Sequence, residues 1–427
     1  MSRLNEEVLA ASPRDAGGKL LPIGLTLLGL AGLGIGFGGD HKAGWVALLV
    51  GTVVALGAGM FGALLSAIFE MTNARWGRVY RRLAEASLAF MPVGIIGLLA
   101  LLIGAGDFLP WLNGHELEGH KAMWLSRGFW SLRILVAVGI AYSVGLAFLY
   151  FSLRRDFCAT GASERYPGRL SRIFGRDIQD PAAEALRCSR RMSVLAPLVA
   201  IAYALCFSML GFDLIMALEP EWYSTLYGAW FFIGPLVTGL GLLAMASVAL
   251  RGHLPLAPYL TPKRQSDLAT LLFAFVLLNT DFFWSQYLTI WYSHLPEETG
   301  YIIKRTIDFR LPWAGLSYLS LLGFFAIPFI ALLFRRVKRS GPLLIGVALI
   351  NIGAIILARF LEVAPALIDL GSAATNRDLV RPLLATLLVV LGVLGVGWRL
   401  YRGFLTSVPI MPVNDPIFVE MFGDDHQ

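Results

Sequence analysis

The chain is 427 residues long, 57% hydrophobic and only 15% charged, where a soluble globular domain carries roughly 25% charged residues. That balance excludes a soluble enzyme, and the net charge of +6 is spread over six separate segments rather than one basic face, which excludes a nucleic-acid partner. Three cysteines (Cys158, Cys188, Cys206) without a CxxC pair leave disulfide scaffolds, zinc sites, iron–sulfur clusters and covalent c-type haem attachment without ligands.

Ten apolar runs of about the 20 residues that cross a bilayer succeed one another, continuous rather than alternating, so the fold class is all-α integral membrane and not a β-barrel. They centre in 20–38, 43–69, 83–104, 129–152, 193–217, 226–250, 267–293, 312–334, 342–361 and 382–401. The inner segments hold 25 of the 35 basic residues if the N-terminus is cytoplasmic, which sets both termini inside (N-in/C-in). A mixed-charge tail, 1–19, with no cleavable signal peptide, leads into a polytopic domain, 20–403, and a cytoplasmic tail, 404–427.

Runs 1, 2, 6 and 10 are glycine-rich, as in "GLTLLGLAGLGIGFGG", which predicts close helix packing. After run 2, Glu70 and Glu85 flank "RWGRVYRR" at the inner surface, where they cap the arginines or admit protons from the cytoplasm. Run 4 carries Arg133 near its outer end, and run 5 carries Asp213 a turn or two below its own. Adjacent antiparallel helices bring these ends together, as a plain buried ion pair or as the acid and base beside a quinol headgroup. Between them the basic insert 153–192 predicts a short amphipathic surface helix that anchors to inner-leaflet membrane lipid through its arginines. The insert divides the chain into two four-helix bundles, helices 2–5 (about 43–217) and 6–9 (about 226–361), with helices 1 and 10 outside them.

Run 7 holds Asp281 about 13 residues below its outer end, roughly 20 Å deep at 1.5 Å per residue. Ser285, Thr289 and Tyr292 follow as one polar stripe, Asn279, Gln286 and Ser293 form a second, and Trp284, Tyr287 and Trp291 occupy another sector. Because a charge in hydrocarbon is costly, the Asp281 stripe is expected to face the bundle interior as a proton path or an interhelical tie. His294, Glu297 and Glu298 then open an outer loop and are candidates for docking a periplasmic partner. In run 9, Arg359 and Glu362 stand at i,i+3 and are expected to satisfy each other or to join the proton path. All six histidines fall in loops, tails or helix ends, so no facing pair is available as axial haem ligands.

Four segments, "GALLSAIFEMTNARWGRVYRRLAEA", "MALEPEWYSTLYGAWFFIGPLVTGLGLL", "SQYLTIWYSHLPEET" and "PFIALLFRRVKRSGPLL", together resemble the ActF-type membrane subunit of alternative complex III, a bacterial quinol:electron-acceptor oxidoreductase, within the NrfD/PsrC-like superfamily. The resemblance implies two four-helix bundles with a peripheral helix on each side, in the bacterial cytoplasmic membrane. It implies no redox cofactor of the chain's own, a quinone or menaquinone nearby, and haem c and iron–sulfur clusters in partner subunits. Those partners are a sister NrfD-like membrane subunit, a periplasmic iron–sulfur/molybdopterin-like subunit and haem c subunits. The implied role is assembly and a proton path. A secondary transporter and a purely structural scaffold are the alternatives.

Overall fold

The computed structural model describes residues 20–39, 41–112, 119–159, 162–166, 168–251, 258–308, 311–368 and 376–422. Among these there is no strand, and ten helices are long and apolar enough to span a membrane. They are α1 (Leu20–Phe37), α2 (Lys42–Met71), α3 (Trp76–Ile103), α4 (Arg127–Phe157), α5 (Pro181–Leu218), α6 (Tyr227–Arg251), α7 (Pro262–Ser293), α8 (Trp313–Leu333), α9 (Gly341–Leu367) and α10 (Asp378–Leu405). The protein is therefore an all-α, multi-pass membrane protein.

Several helices outrun their apolar cores because local signals extend them. The Asp180 side chain accepts from the backbone N–H of Ala182 and Ala183, at 3.0 and 3.1 Å, and Pro181 follows at the first helical position, starting α5 well before residue 193. Thr261 and Pro262 do the same for α7. At its other end α7 stops at His294, whose left-handed backbone (φ 51) terminates the helix before Pro296 opens a new short one, Pro296–Ile302.

Helices α2–α5 pack as one bundle and α6–α9 as a second, joined where α2 and α5 meet α6 and where α2 meets α9. The two outer helices do not take one flank each, as the resemblance implies. Helices α1 and α10 pair with each other on the α2 side. Glycine decides this: a Cβ on Gly29 would stand 2.6 Å from the Gly392 Cα, so these two backbones touch directly. Helix α3 begins as a broken segment, 3₁₀ over Trp76–Tyr80 and Ala86–Phe90 with one α turn between, which folds its arginines into the bundle. There Ser87 Oγ accepts from the Gly62 N–H at 2.9 Å, and α2 passes so close that a Cβ on Gly62 would meet the Ala84 carbonyl oxygen at 1.8 Å.

The C-terminal segment is not a free tail. Beyond α10 the chain turns back against the basic end of the first bundle and buries Val408, Ile410, Met411, Val413 and Phe418. The remaining tail residues, 423–427, and the N-terminal 1–19 lie outside the described residues.

Candidate functional site

Within the second bundle lies a cavity of about 890 Å³, walled by α6, α7, α8, α9 and the segment after Pro296. Two π-helical turns border it, Ile303–Ile307 and Leu322–Ala326. Such turns insert a residue into the helical ladder and re-aim side chains, here Arg305 and Thr306 from the first and Phe324 and Phe325 from the second. Trp230, Phe283, Trp284 and Tyr287 complete the aromatic walls. The cavity is open between α7 and α8, where Asp281, Trp284 and Tyr318 are all exposed.

The polar end is built around Glu362. Its Oε2 accepts from Arg359 Nη1 and from the Tyr227 hydroxyl, both at 2.7 Å, confirming the i,i+3 pair expected from sequence. Its Oε1 is buried and has no hydrogen-bond partner among the described residues. A second buried acceptor without a partner among the described residues, Gln286 Oε1, lines the same cavity. An unmet buried acceptor costs about 1–3 kcal/mol, so two in one cavity mark a place shaped for a hydrogen-bond donor.

Arg305 supports this end without facing it with a free N–H fork. It donates to the carbonyls of Leu361, Tyr301 and Glu362 and to Glu219 Oε1, the last at 2.6 Å. Its guanidinium lies 3.6 Å from the Tyr301 ring centroid, and Tyr301 stacks on Trp222 at 3.8 Å. Burial pushes the Tyr301 phenol well above its usual range. Burial alone would lower Arg305, but the neighbouring Tyr301 and the Glu219 carboxylate outweigh it and hold the guanidinium charged. Arg359 is likewise stacked, about 5 Å over Trp230 and Phe231.

Asp281 lines the cavity with no hydrogen bond or ion pair among the described residues. The expectation that Asp281 and its stripe face the bundle interior is corrected by the structure: Asp281 is itself exposed, at the mouth of the cavity. Thr289 and Tyr292 face outward, Tyr292 being 85% exposed, and the Thr289 hydroxyl merely donates to carbonyls of its own helix. Ser285 is half-buried. The buried face of α7 runs through Leu268, Leu272, Val276, Asn279, Gln286 and Ile290, so of the two polar stripes it is the second whose deeper members, Asn279 and Gln286, look inward. Apolar area sets the rotation of the helix, and Asp281 is left at the border of that face, on the cavity's open side.

The other candidates lie apart. Arg133 and Asp213 do pair, through two contacts of 2.7 and 3.1 Å, and Arg133 also donates to the Trp124 carbonyl and stacks 3.9 Å over its ring. Both Asp213 oxygens are thus occupied, and neither residue borders the cavity. His294 and Glu297 are exposed, and Glu298 is held by the Ser293 hydroxyl at 3.2 Å.

Glu70 and Glu85 belong to a buried network at the basic end that is larger than the sequence shows. Glu70 accepts from Arg78 and Arg81, and Glu85 from Arg81, Arg82 and the Ser152 hydroxyl. Arg82 also binds Asp156. Asp415, from the returning C-terminal segment, accepts from Arg155, Arg81 and Arg78 at 2.6, 2.8 and 3.0 Å. Burial alone would raise the Asp415 carboxyl, but these three guanidiniums outweigh it and hold it well below the usual carboxylate range. Four arginines and four acids balance, which is what makes so much charge tolerable where desolvation costs several kcal/mol per ion. Sequence reading missed Asp156 and Asp415, and at the cavity Tyr227, Gln286 and Arg305. Gln286 alone had a signal, the i+7 spacing from Asn279.

No protein-family model matches the chain, and no curated protein matches it.

Proposed function

We propose that this chain is the ActF-type membrane subunit of a respiratory quinol-oxidising complex of the alternative complex III kind, seated in a bacterial cytoplasmic membrane. In this reading it helps to assemble the membrane sector and supplies a protonatable pair, Glu362 and Asp281, to a cavity that a quinone-class ring enters. The supporting observation is that Glu362 keeps one carboxylate oxygen on Arg359 and Tyr227 and leaves the other without a partner among the described residues, in a cavity that Asp281 also lines. A volume of about 890 Å³ is within the range of small-molecule sites, and aromatic walls with a few convergent polar groups suit a flat ring bearing hydroxyls. The Arg133–Asp213 pair, whose oxygens are already occupied, is not the headgroup site in this proposal. Electrons released by the quinol pass to the haem c and iron–sulfur clusters of partner subunits, namely a periplasmic iron–sulfur/molybdopterin-like subunit and haem c subunits, which assemble with a sister NrfD-like membrane subunit.

Two measurements test it. Affinity purification from native membranes, with mass spectrometry and a visible spectrum, is expected to yield those partners and haem c absorption. Asp281→Asn, at an exposed residue with no partner among the described residues, is expected to leave the complex assembled and lower its H⁺/e⁻ ratio in proteoliposomes; an unchanged ratio removes the proton role. The π turn that interrupts α8 beside the cavity favours one other reading, a secondary transporter with an interrupted helix at its binding site. Solute uptake by liposomes holding the purified chain alone would establish that reading instead.

A further inference from the structure

We propose that the inner ends of α4 and α5 form a defined site for the phosphate of an anionic phospholipid in the cytoplasmic leaflet. A pocket of about 430 Å³ lies there, between α4, the turn after the short helix Arg169–Phe174, and the first turns of α5. Arg154, Arg176, Arg187 and Arg191 line it, against two carboxylates, Asp177 and Glu184. Glu184 is shared by Arg154 at 2.5 Å and Arg187 at 3.3 Å, and Asp177 is taken up by Arg176 at 3.1 Å. Arg191 has no hydrogen bond or ion pair among the described residues. The pocket therefore carries a surplus of two positive charges. The Arg176–Asp177 pair is about 80% exposed on both sides, and a pair so exposed is held too weakly to keep Arg176 from a better anion. Guanidinium forks match phosphate oxygens two at a time, so a phosphodiester completes the charge that the protein leaves open.

Two features select a lipid over a soluble anion. The pocket wall is amphipathic: Ile173 stands 48% exposed on the insert beside Tyr150 and Phe151 of α4. Leu186, neighbouring Arg187, is 55% exposed at the same level. Apolar side chains left open next to guanidiniums suit a glycerol backbone and acyl chains, and they gain nothing from free phosphate. The site also lies where two spans emerge on the side with most of the chain's basic residues, at headgroup depth by the positive-inside rule.

The test uses the full chain, with any subunits that co-purify, in nanodiscs mixing phosphatidylcholine and phosphatidylglycerol, released for native mass spectrometry. The wild type is expected to retain phosphatidylglycerol preferentially, and the Arg176→Ala/Arg191→Ala double variant to lose that retention on the order of tenfold. Both positions are exposed, so the double variant is expected to melt with the wild type, and Arg176→Lys/Arg191→Lys is expected to recover only part of the retention because an ammonium lacks the fork. Equal retention of phosphatidylcholine, or unchanged phosphatidylglycerol retention in the double variant, overturns the site. Displacement of the lipid by millimolar inorganic phosphate overturns its assignment to a lipid.

Discussion

The Tyr227 hydroxyl donates to Glu362 Oε2 at 2.7 Å across 135 positions of sequence, linking the first turn of α6 to the last turns of α9. With Arg359 on the same oxygen, it leaves Glu362 held on one side and open on the other. A single contact between two helices thereby decides how a carboxylate is presented to the cavity.

Glu362→Gln is expected to destabilise the protein by about 3–5 kcal/mol, because it leaves the buried Arg359 guanidinium without its counter-charge. Arg359→Gln alone is expected to cost a similar amount, and the double variant less than the sum of the two. Thermal melts of all three in one detergent give the coupling directly. Additive losses would mean that the pair does not act as a unit.

Asp415→Asn is expected to loosen the basic end, again by about 3–5 kcal/mol, since three guanidiniums lose their common partner. The sign of the pH dependence follows from the depressed carboxyl: its contribution is full above the unfolded value of about 3.9 and is lost as pH falls toward the lower folded value. Wild-type stability contributed by this group is therefore flat from neutral pH down to about pH 5 and declines only below about pH 4, and Asp415→Asn is expected to flatten that acid limb. Melting temperatures across that range check it.

For Asp213→Ala the expected result is a stability loss of a few kcal/mol, about 3, from the stranded Arg133, with quinol turnover per folded complex unchanged. Turnover lost while the melting temperature holds would return the quinone to this pair and away from the cavity.

Gly62 and Gly139 separate packing from helix propensity. At Gly62 a methyl group runs into the Ala84 carbonyl, which is backbone and cannot swing aside, so Gly62→Ala is expected to destabilise severely or block folding. At Gly139 nothing lies within 4 Å of the added Cβ, and Gly139→Ala is expected to be neutral or to stabilise by up to about 1 kcal/mol. Yield and melting temperature from parallel purifications distinguish the two.

The ten spans, the split into two bundles and the Arg359–Glu362 pair were readable from residue order, because span length, the sign of loop charges and i,i+3 spacing are local quantities, and the Arg133–Asp213 pair was readable because consecutive antiparallel spans bring their outer ends together. Helix rotation was not, and α7 shows why: its polar stripes were both visible, but which faced inward depended on the apolar area that other helices offered to Leu268, Leu272 and Val276. The same holds for the pairing of α1 with α10, which rests on two glycines 363 positions apart, and for Asp415, a polar residue near the C-terminus that finds three arginines only after the chain folds back. Asp281 and Glu362 meet one cavity for that reason too: membrane insertion follows from each segment's own transfer free energy, whereas a shared site exists only once separate segments have packed.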